Sequence, residues 1–256
     1  MSEFFPDGAA LVIGGSGGVG KAVCREFARA GTGVALTYNK KRDIAERIAG
    51  ELREVGIKAT THQLTIGNRS RVEAVVAEAA AEHRRLHTVV VGAGTFAQQV
   101  PLSEMPVELW RQVIDQDING FFHVMQVTLP HLKAWGGGSY VHLGSAGHLS
   151  WPERDGISVA PKAAIEALIT GIAREEGVNK VRANTVLLGV IEAGMFLELT
   201  KQGVFDAGWV KEVQKNLALK RWGKPEEVAH AVVWLASDKA LYVTGQRIAV
   251  AGGYGL

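Results

Sequence analysis

The chain has 256 residues, 47% hydrophobic and 21% charged, enough apolar mass for one large α/β core or two small ones. A formal net charge of +2 gives neither the basic footprint of a nucleic-acid binder nor a membrane-seeking surface. The single cysteine, Cys24, excludes an intrachain disulfide.

The elements follow in order. Ala9–Ile13 is an apolar run that breaks into the glycines of Leu11–Gly20 (LVIGGSGGVG) and restarts as a helical pattern at Lys21–Ala30. Gly33–Tyr38 is a second strand, which closes a βαβ unit. Strand patterns recur at Lys58–Leu64, Thr88–Gly92, Ser139–Gly144, Arg182–Leu187 and Arg247–Val250. Helical patterns lie between them at Lys41–Val55, Ser70–Glu82, Pro106–Ala134 and Pro161–Glu176, with a last one at Pro225–Ala236. This alternation predicts a doubly wound parallel sheet of seven strands with helices on both faces, as one Rossmann-type domain over residues 1–256. The least regular stretch, 194–222, is expected to form a lid over the ligand crevice. The opening MSEFFPDGAA lacks a basic region followed by an apolar one, and no run of about 18 apolar residues occurs. The expectation is a cytoplasmic protein with a small-molecule substrate and neither nucleic-acid nor membrane partners. Cys24 lies among apolar helix positions and reads as a buried thiol.

The glycine turn is the strongest chemical signal. Gly14, Gly18 and Gly20 let the backbone turn tightly and approach a ligand, and the next helix points its dipole at a phosphate. The second strand ends in Tyr38, followed by Asn39, Lys40, Lys41 and Arg42. No carboxylate is available there for a ribose 2′-hydroxyl, and three cations stand where a 2′-phosphate would sit. NADP(H) is therefore favoured over NAD(H). The competing explanation is a solvated basic run at a helix start.

These residues, with Ser145, Lys162 and the closing segment KRWGKPEEVAHAVVWLASDKALYVTGQRIAVAGGYGL, resemble the short-chain dehydrogenase/reductase superfamily along essentially the whole chain. The resemblance implies a nicotinamide dinucleotide held by Gly14, Ser16, Gly18 and Val19, by Tyr38, Asn39, Lys40 and Arg42, and by Thr65, Ile66, Ala93, Gly94, Lys162 and Ile191. It also implies assembly into dimers or tetramers of identical chains, for which Trp234 and Tyr254 are candidate interface residues.

The same resemblance exposes departures. The family's Ser, Tyr and Lys read here as Ser145, Ser158 and Lys162, so the phenol that serves as acid or base is an aliphatic hydroxyl. The family's structural Asn reads Asp117, its adenine-contacting Asp reads Thr65, and its Asn-Asn-Ala-Gly reads Val91-Gly92-Ala93-Gly94. Asp117 together with a residue other than Tyr four before the Lys is similar to dienoyl-CoA reductases, a branch that delivers its proton by other groups. The expected catalytic set is Ser145, Ser158, Lys162 and Asp117, with no metal site. Asp117 has a second reading, as an acceptor for backbone donors in a helix bend. His148 is a loop residue that titrates near neutrality, read as a surface group with proton donation as the alternative. Two functions follow: an NADP(H)-dependent reductase of a C=O or conjugated C=C substrate, or a cofactor-binding paralogue acting as sensor or silent subunit. A Ser145–His148 hydrolase lacks the nucleophile elbow and an oriented His.

Overall fold

Strand β1 (Ala9–Ile13) is buried at every position, and so is β4 (Leu86–Val91), as expected of strands covered on both faces. The computed structural model describes residues 3–95, 99–203, 205 and 207–256. Its seven parallel strands add β2 (Gly33–Tyr38), β3 (Ala59–Gln63), β5 (Gly138–Ser145), β6 (Val181–Leu188) and β7 (Arg247–Val250). The spatial order is β3-β2-β1-β4-β5-β6-β7. The order reverses between β1 and β4, so a crevice opens at the carboxyl ends of these two strands.

Helices α1 (Gly20–Arg29) and α2 (Arg42–Glu54) cover one face with the helix Pro225–Ala236, through Val23, Phe27, Ile48, Val228 and Val232. The other face is covered by α3 (Arg69–His83) and by the helices Gly120–Ala134 and Gly156–Glu175, through Val72, Val76, Phe121, Ile165 and Ile169. Cys24 is buried on α1, and its thiol is pushed up to about 12 by that burial.

Two predicted helices are corrected. The pattern at Pro106–Ala134 is not one helix: α4 (Val107–Val113) passes into a π-helical stretch, Ile114–Asn119, and then into α5 (Gly120–Ala134). The wider turn places Asp117 inward and buries it. Helix α6 (Gly156–Glu175) begins five residues before Pro161, which the sequence marks as a start. The Asp155 carbonyl already accepts the N–H groups of Ser158 and Val159, so Pro161 sits inside the helix and forgoes one bond. By length and composition this helix could cross a membrane, but its apolar stripe lies on β5 and β6, as in a core helix.

The segment 194–222 carries two short helices, α7 (Met195–Lys201) and α8 (Ala207–Lys215); its residues 204 and 206 lie outside the described residues. Phe196, Phe205, Trp209 and Trp222 stack together there, with Phe205 and Trp209 ring centres 3.9 Å apart. Helix α9 (Pro225–Ala236) follows, with Pro225 in its first turn.

Candidate active site

The glycine turn lies at the reversal in strand order. Gly14 has φ +83°, a conformation that L side chains rarely adopt, and its N–H donates to the Thr37 hydroxyl at 3.1 Å. Thr37 thus ties the turn to β2, a role that sequence patterning did not single out. A Cβ at Gly20 would collide with the Gly14 carbonyl oxygen and stand 2.9 Å from Gly15 Cα, so glycine lets α1 start against the turn. Gly18 packs against the backbone of Gly194, which brings the start of the 194–222 segment across the turn. Ser16 and Val19 are half-buried beside it. No side chain caps α1 and no acid lies in its first turn, which leaves the positive dipole end to a ligand.

At the end of β2, Tyr38 is buried in the core. Asn39 is exposed; its carbonyl accepts from Gln63 at 3.1 Å and its side-chain oxygen from the Thr65 hydroxyl at 3.4 Å. Lys40, Lys41 and Arg42 are exposed, and none forms a salt bridge with a carboxylate among the described residues. Ile66 is buried against the start of α5, Ala93 is half-buried beside β4, and Gly94 faces Asp117. Ile191 is buried and bridges to Gly223. An anionic dinucleotide fits this surface: an open helix end, a tight turn and an unpaired cationic run.

The polar centre lies on α6. Lys162 Nζ donates to Ser158 Oγ at 2.9 Å. Burial lowers the Lys162 pKa, opposed by the charges of Asp117 and then Asp155. Asp117 accepts from the Thr95 hydroxyl at 2.7 Å and from the Thr95 N–H at 3.0 Å. Its pKa is raised by burial, against those hydrogen bonds and Lys162. Asp117 thus clamps a backbone donor of the segment after β4, and it lies within reach of the Lys162 charge. Ser145, at the end of β5, accepts from the Gly147 N–H at 3.1 Å. A residue that sequence reading passed over joins the set: Asp155, whose Oδ1 accepts from Gln99 Nε2 at 2.8 Å. Burial raises its pKa, with the Gln99 hydrogen bond and Lys162 opposing.

His148 is neither a surface group nor free for the cleft. Its Nδ1 lies 2.7 Å from Glu166 Oε1, a buried carboxylate on α6. Its Nε2 faces the Val159 carbonyl at 3.0 Å. Glu166 is buried and also meets Arg247 of β7 at 3.2 Å. Tyr254 is used within the chain: its phenol donates to the Ser150 carbonyl at 2.8 Å. Among the described residues no cluster of ligating side chains suits a metal ion. Two depressions of about 630 and 600 Å³ lie beside the cleft, around Phe205 and Lys211 and around Trp151 and Tyr254, and neither includes Ser145, Ser158 or Lys162.

A family model described as enoyl-(acyl carrier protein) reductase matches residues 14–255. The chain belongs to the short-chain dehydrogenase/reductase superfamily. It is 32% identical over 248 residues to sorbose reductase sou1 of Schizosaccharomyces pombe, covering 95% of this chain and 94% of that one. A short-chain dehydrogenase/reductase structure from Mycobacterium ulcerans superposes with a TM-score of 0.91 at 30% identity, over 97% of this chain and 90% of that chain. A blue fluorescent protein from a metagenomic library, solved in complex with NADPH, superposes with a TM-score of 0.87 at 26% identity, over 97% and 98% of the two chains. As a short-chain dehydrogenase/reductase, the protein is an oxidoreductase of the NAD(P)-dependent class.

Proposed function

We propose that this short-chain dehydrogenase/reductase uses NADP(H) to reduce a C=O or conjugated C=C bond of a small molecule. The observation that carries the reading is a run of contacts from the glycine turn to the polar centre: Gly14 packs on Gly92 and Ala93, and Gly94 faces Asp117. The uncapped glycine turn and the exposed, unpaired Lys40–Arg42 run stand at one end, and the Lys162–Ser158 pair with Asp117 stands at the other. The bound dinucleotide supplies a hydride from its nicotinamide ring. The chain's own residues do the rest. The turn from Gly14 to Gly20 receives the pyrophosphate, and Lys40 and Arg42 take the 2′-phosphate. Thr65, Ile66, Ala93, Gly94 and Ile191 line the cofactor's path. Lys162 holds a ribose hydroxyl and puts positive charge beside the substrate oxygen, and Asp117 keeps that ammonium charged and pointed into the cleft. Ser145 and Ser158 hold the substrate by hydrogen bonds. The segment 194–222, crossing at Gly18, closes over the substrate and excludes water. The solved NADPH complex of a structural neighbour supports the cofactor choice.

Two titrations test it. NADPH should bind more tightly than NADH by fluorescence, and Lys40→Ala with Arg42→Ala should remove that preference. Each charge-assisted contact contributes about 1.5–3 kcal/mol, discounted here for exposure. Equal affinities would sink the cofactor assignment. NADPH oxidation against a panel of ketones and enoyl thioesters then tests the chemistry. Ser158 in place of a phenol favours one rival, a silent cofactor-binding subunit. That rival predicts NADPH binding without turnover on any member of the panel.

A further inference from the structure

The reductive reading above leaves the substrate proton without a source, because an aliphatic hydroxyl at position 158 is a poor acid. The inference here rests on that reading. Asp155, Ser158 and Lys162 are spaced three and four residues apart, so they form one stripe at the start of α6. Asp155 begins the helix: its carbonyl accepts the N–H groups of Ser158 and Val159, both at 3.0 Å. The carboxyl group thus starts the stripe on which Ser158 and Lys162 follow, and it lies within reach of the Lys162 charge. Gln99 Nε2, from the segment after β4, donates to Oδ1 at 2.8 Å, and no donor among the described residues reaches Oδ2.

The charges around Asp155 are few. Lys162 faces it from α6, and Gln99 offers a neutral amide. Leu102, from the short turn Leu102–Glu104, packs on Gly156, while Glu104, Glu153 and Arg154 are exposed. Asp117 stands apart, clamped by Thr95.

We propose that Asp155 is the carboxylic acid that protonates the substrate, taking the place of the phenol this chain lacks. In reduction of a carbonyl, the carbon gains the hydride as the C=O π pair moves to oxygen. The Asp155 O–H bond breaks as the new alcohol O–H bond forms. The products are an alcohol, the oxidised dinucleotide and the Asp155 carboxylate, which regains one proton from water. Lys162 steadies the carboxylate left after transfer. Burial supports the assignment by keeping the carboxyl in its acid form to higher pH than an exposed aspartate.

Asp155→Asn in the full-length protein tests this, since the backbone carbonyl that starts α6 is retained. NADPH affinity should stay within twofold, while single-turnover reduction of the best carbonyl substrate should fall about 10²–10⁴-fold. The wild-type rate should decline as pH rises through the Asp155 pKa, and the variant should lose that limb. In the substrate-free protein, ¹³C carboxyl NMR should show an aspartate titrating above the ordinary range that vanishes in Asp155→Asn. Unchanged turnover in Asp155→Asn, or an ordinary titration, would overturn the assignment while leaving the reductive reading intact. A wild-type protein that binds NADPH and reduces nothing overturns the reading itself, and this inference with it.

Discussion

At the scale of single residues, the proposed chemistry turns on Ser158 and Lys162. The Lys162 ammonium donates to a hydroxyl that cannot act as an acid near neutrality, so its own contribution is charge and position. Ser158→Tyr would put a phenol one turn from Lys162, where the ammonium lowers its pKa. Combined with Asp155→Asn, it should recover at least tenfold of the lost carbonyl reduction in an NADPH-oxidation assay. Lys162→Ala should lower both NADPH affinity and turnover, whereas Asp117→Ala should lower turnover more than affinity. Equal losses in the two measures for Asp117→Ala would mean that it serves only to clamp Thr95. The buried histidines set a pH limit. His87 and His142 are lowered to about 3 and His83 to about 4, chiefly by burial. Each stays neutral when folded but takes a proton at about 6.5 when unfolded. The stability they allow is present in full above pH 6.5 and is lost as pH falls toward 3–4, by up to about 1.4 kcal/mol per His per unit. Melting midpoints should thus drop steeply from pH 6.5 to 5, and a flat profile would contradict the burial argument.

Among elements, the glycine turn and α6 show how local geometry sets the site. Gly20→Ala would drive a Cβ into the Gly14 carbonyl and force α1 off the turn. A cost of about 1–3 kcal/mol in stability and at least a tenfold loss of NADPH affinity are expected, measured by melting and fluorescence titration. Helix α6 carries Asp155, Ser158 and Lys162 in one stripe at its start. One turn beyond Lys162, Glu166 joins it to His148 and to Arg247 of β7. That buried carboxylate couples the loop after Ser145 to the sheet edge. Glu166→Ala should destabilise the fold by less than the about 3–5 kcal/mol of a fully buried pair, because Arg247 is half in solvent.

For the whole molecule, the surface left over after folding bears on assembly. Strand β7 is one edge of the sheet, with residues alternating between exposed and half-buried, and Trp234 on the adjoining α9 is 42% exposed. Leu241 and Tyr242 are exposed in the turn that leads to β7. An open edge flanked by apolar side chains fits a second copy of the chain. Sedimentation at micromolar concentration should show a dimer or tetramer, and Trp234→Glu should shift it toward monomer. Tyr254, by contrast, is engaged with Ser150 and is better placed to hold the loop after Ser145 than to meet a partner.

Much of the candidate site is legible because it is local in sequence. The glycine spacing, the absence of an acid after Tyr38 and the Ser145, Ser158, Lys162 pattern each lie within one strand, turn or helix. The alternation of strands and helices likewise determined the sheet, since parallel strands need crossovers and those crossovers have one hand. What only the tertiary structure decided is long-range or depends on backbone geometry. The π-helical turn at Ile114–Asn119 leaves no periodic signature, yet it turns Asp117 inward, where it accepts from Thr95 and lies within reach of the Lys162 charge. In sequence, Asp155 is one acid of the loop GSAGHLSWPERDG ahead of Pro161. Its meaning came from the early start of α6 and from Gln99, 56 positions away in the chain. His148 reached Glu166 only when β5 and α6 packed together. Hydrophobic period reports which face of an element is buried; which charged groups then share that burial, and so shift one another, is decided by packing.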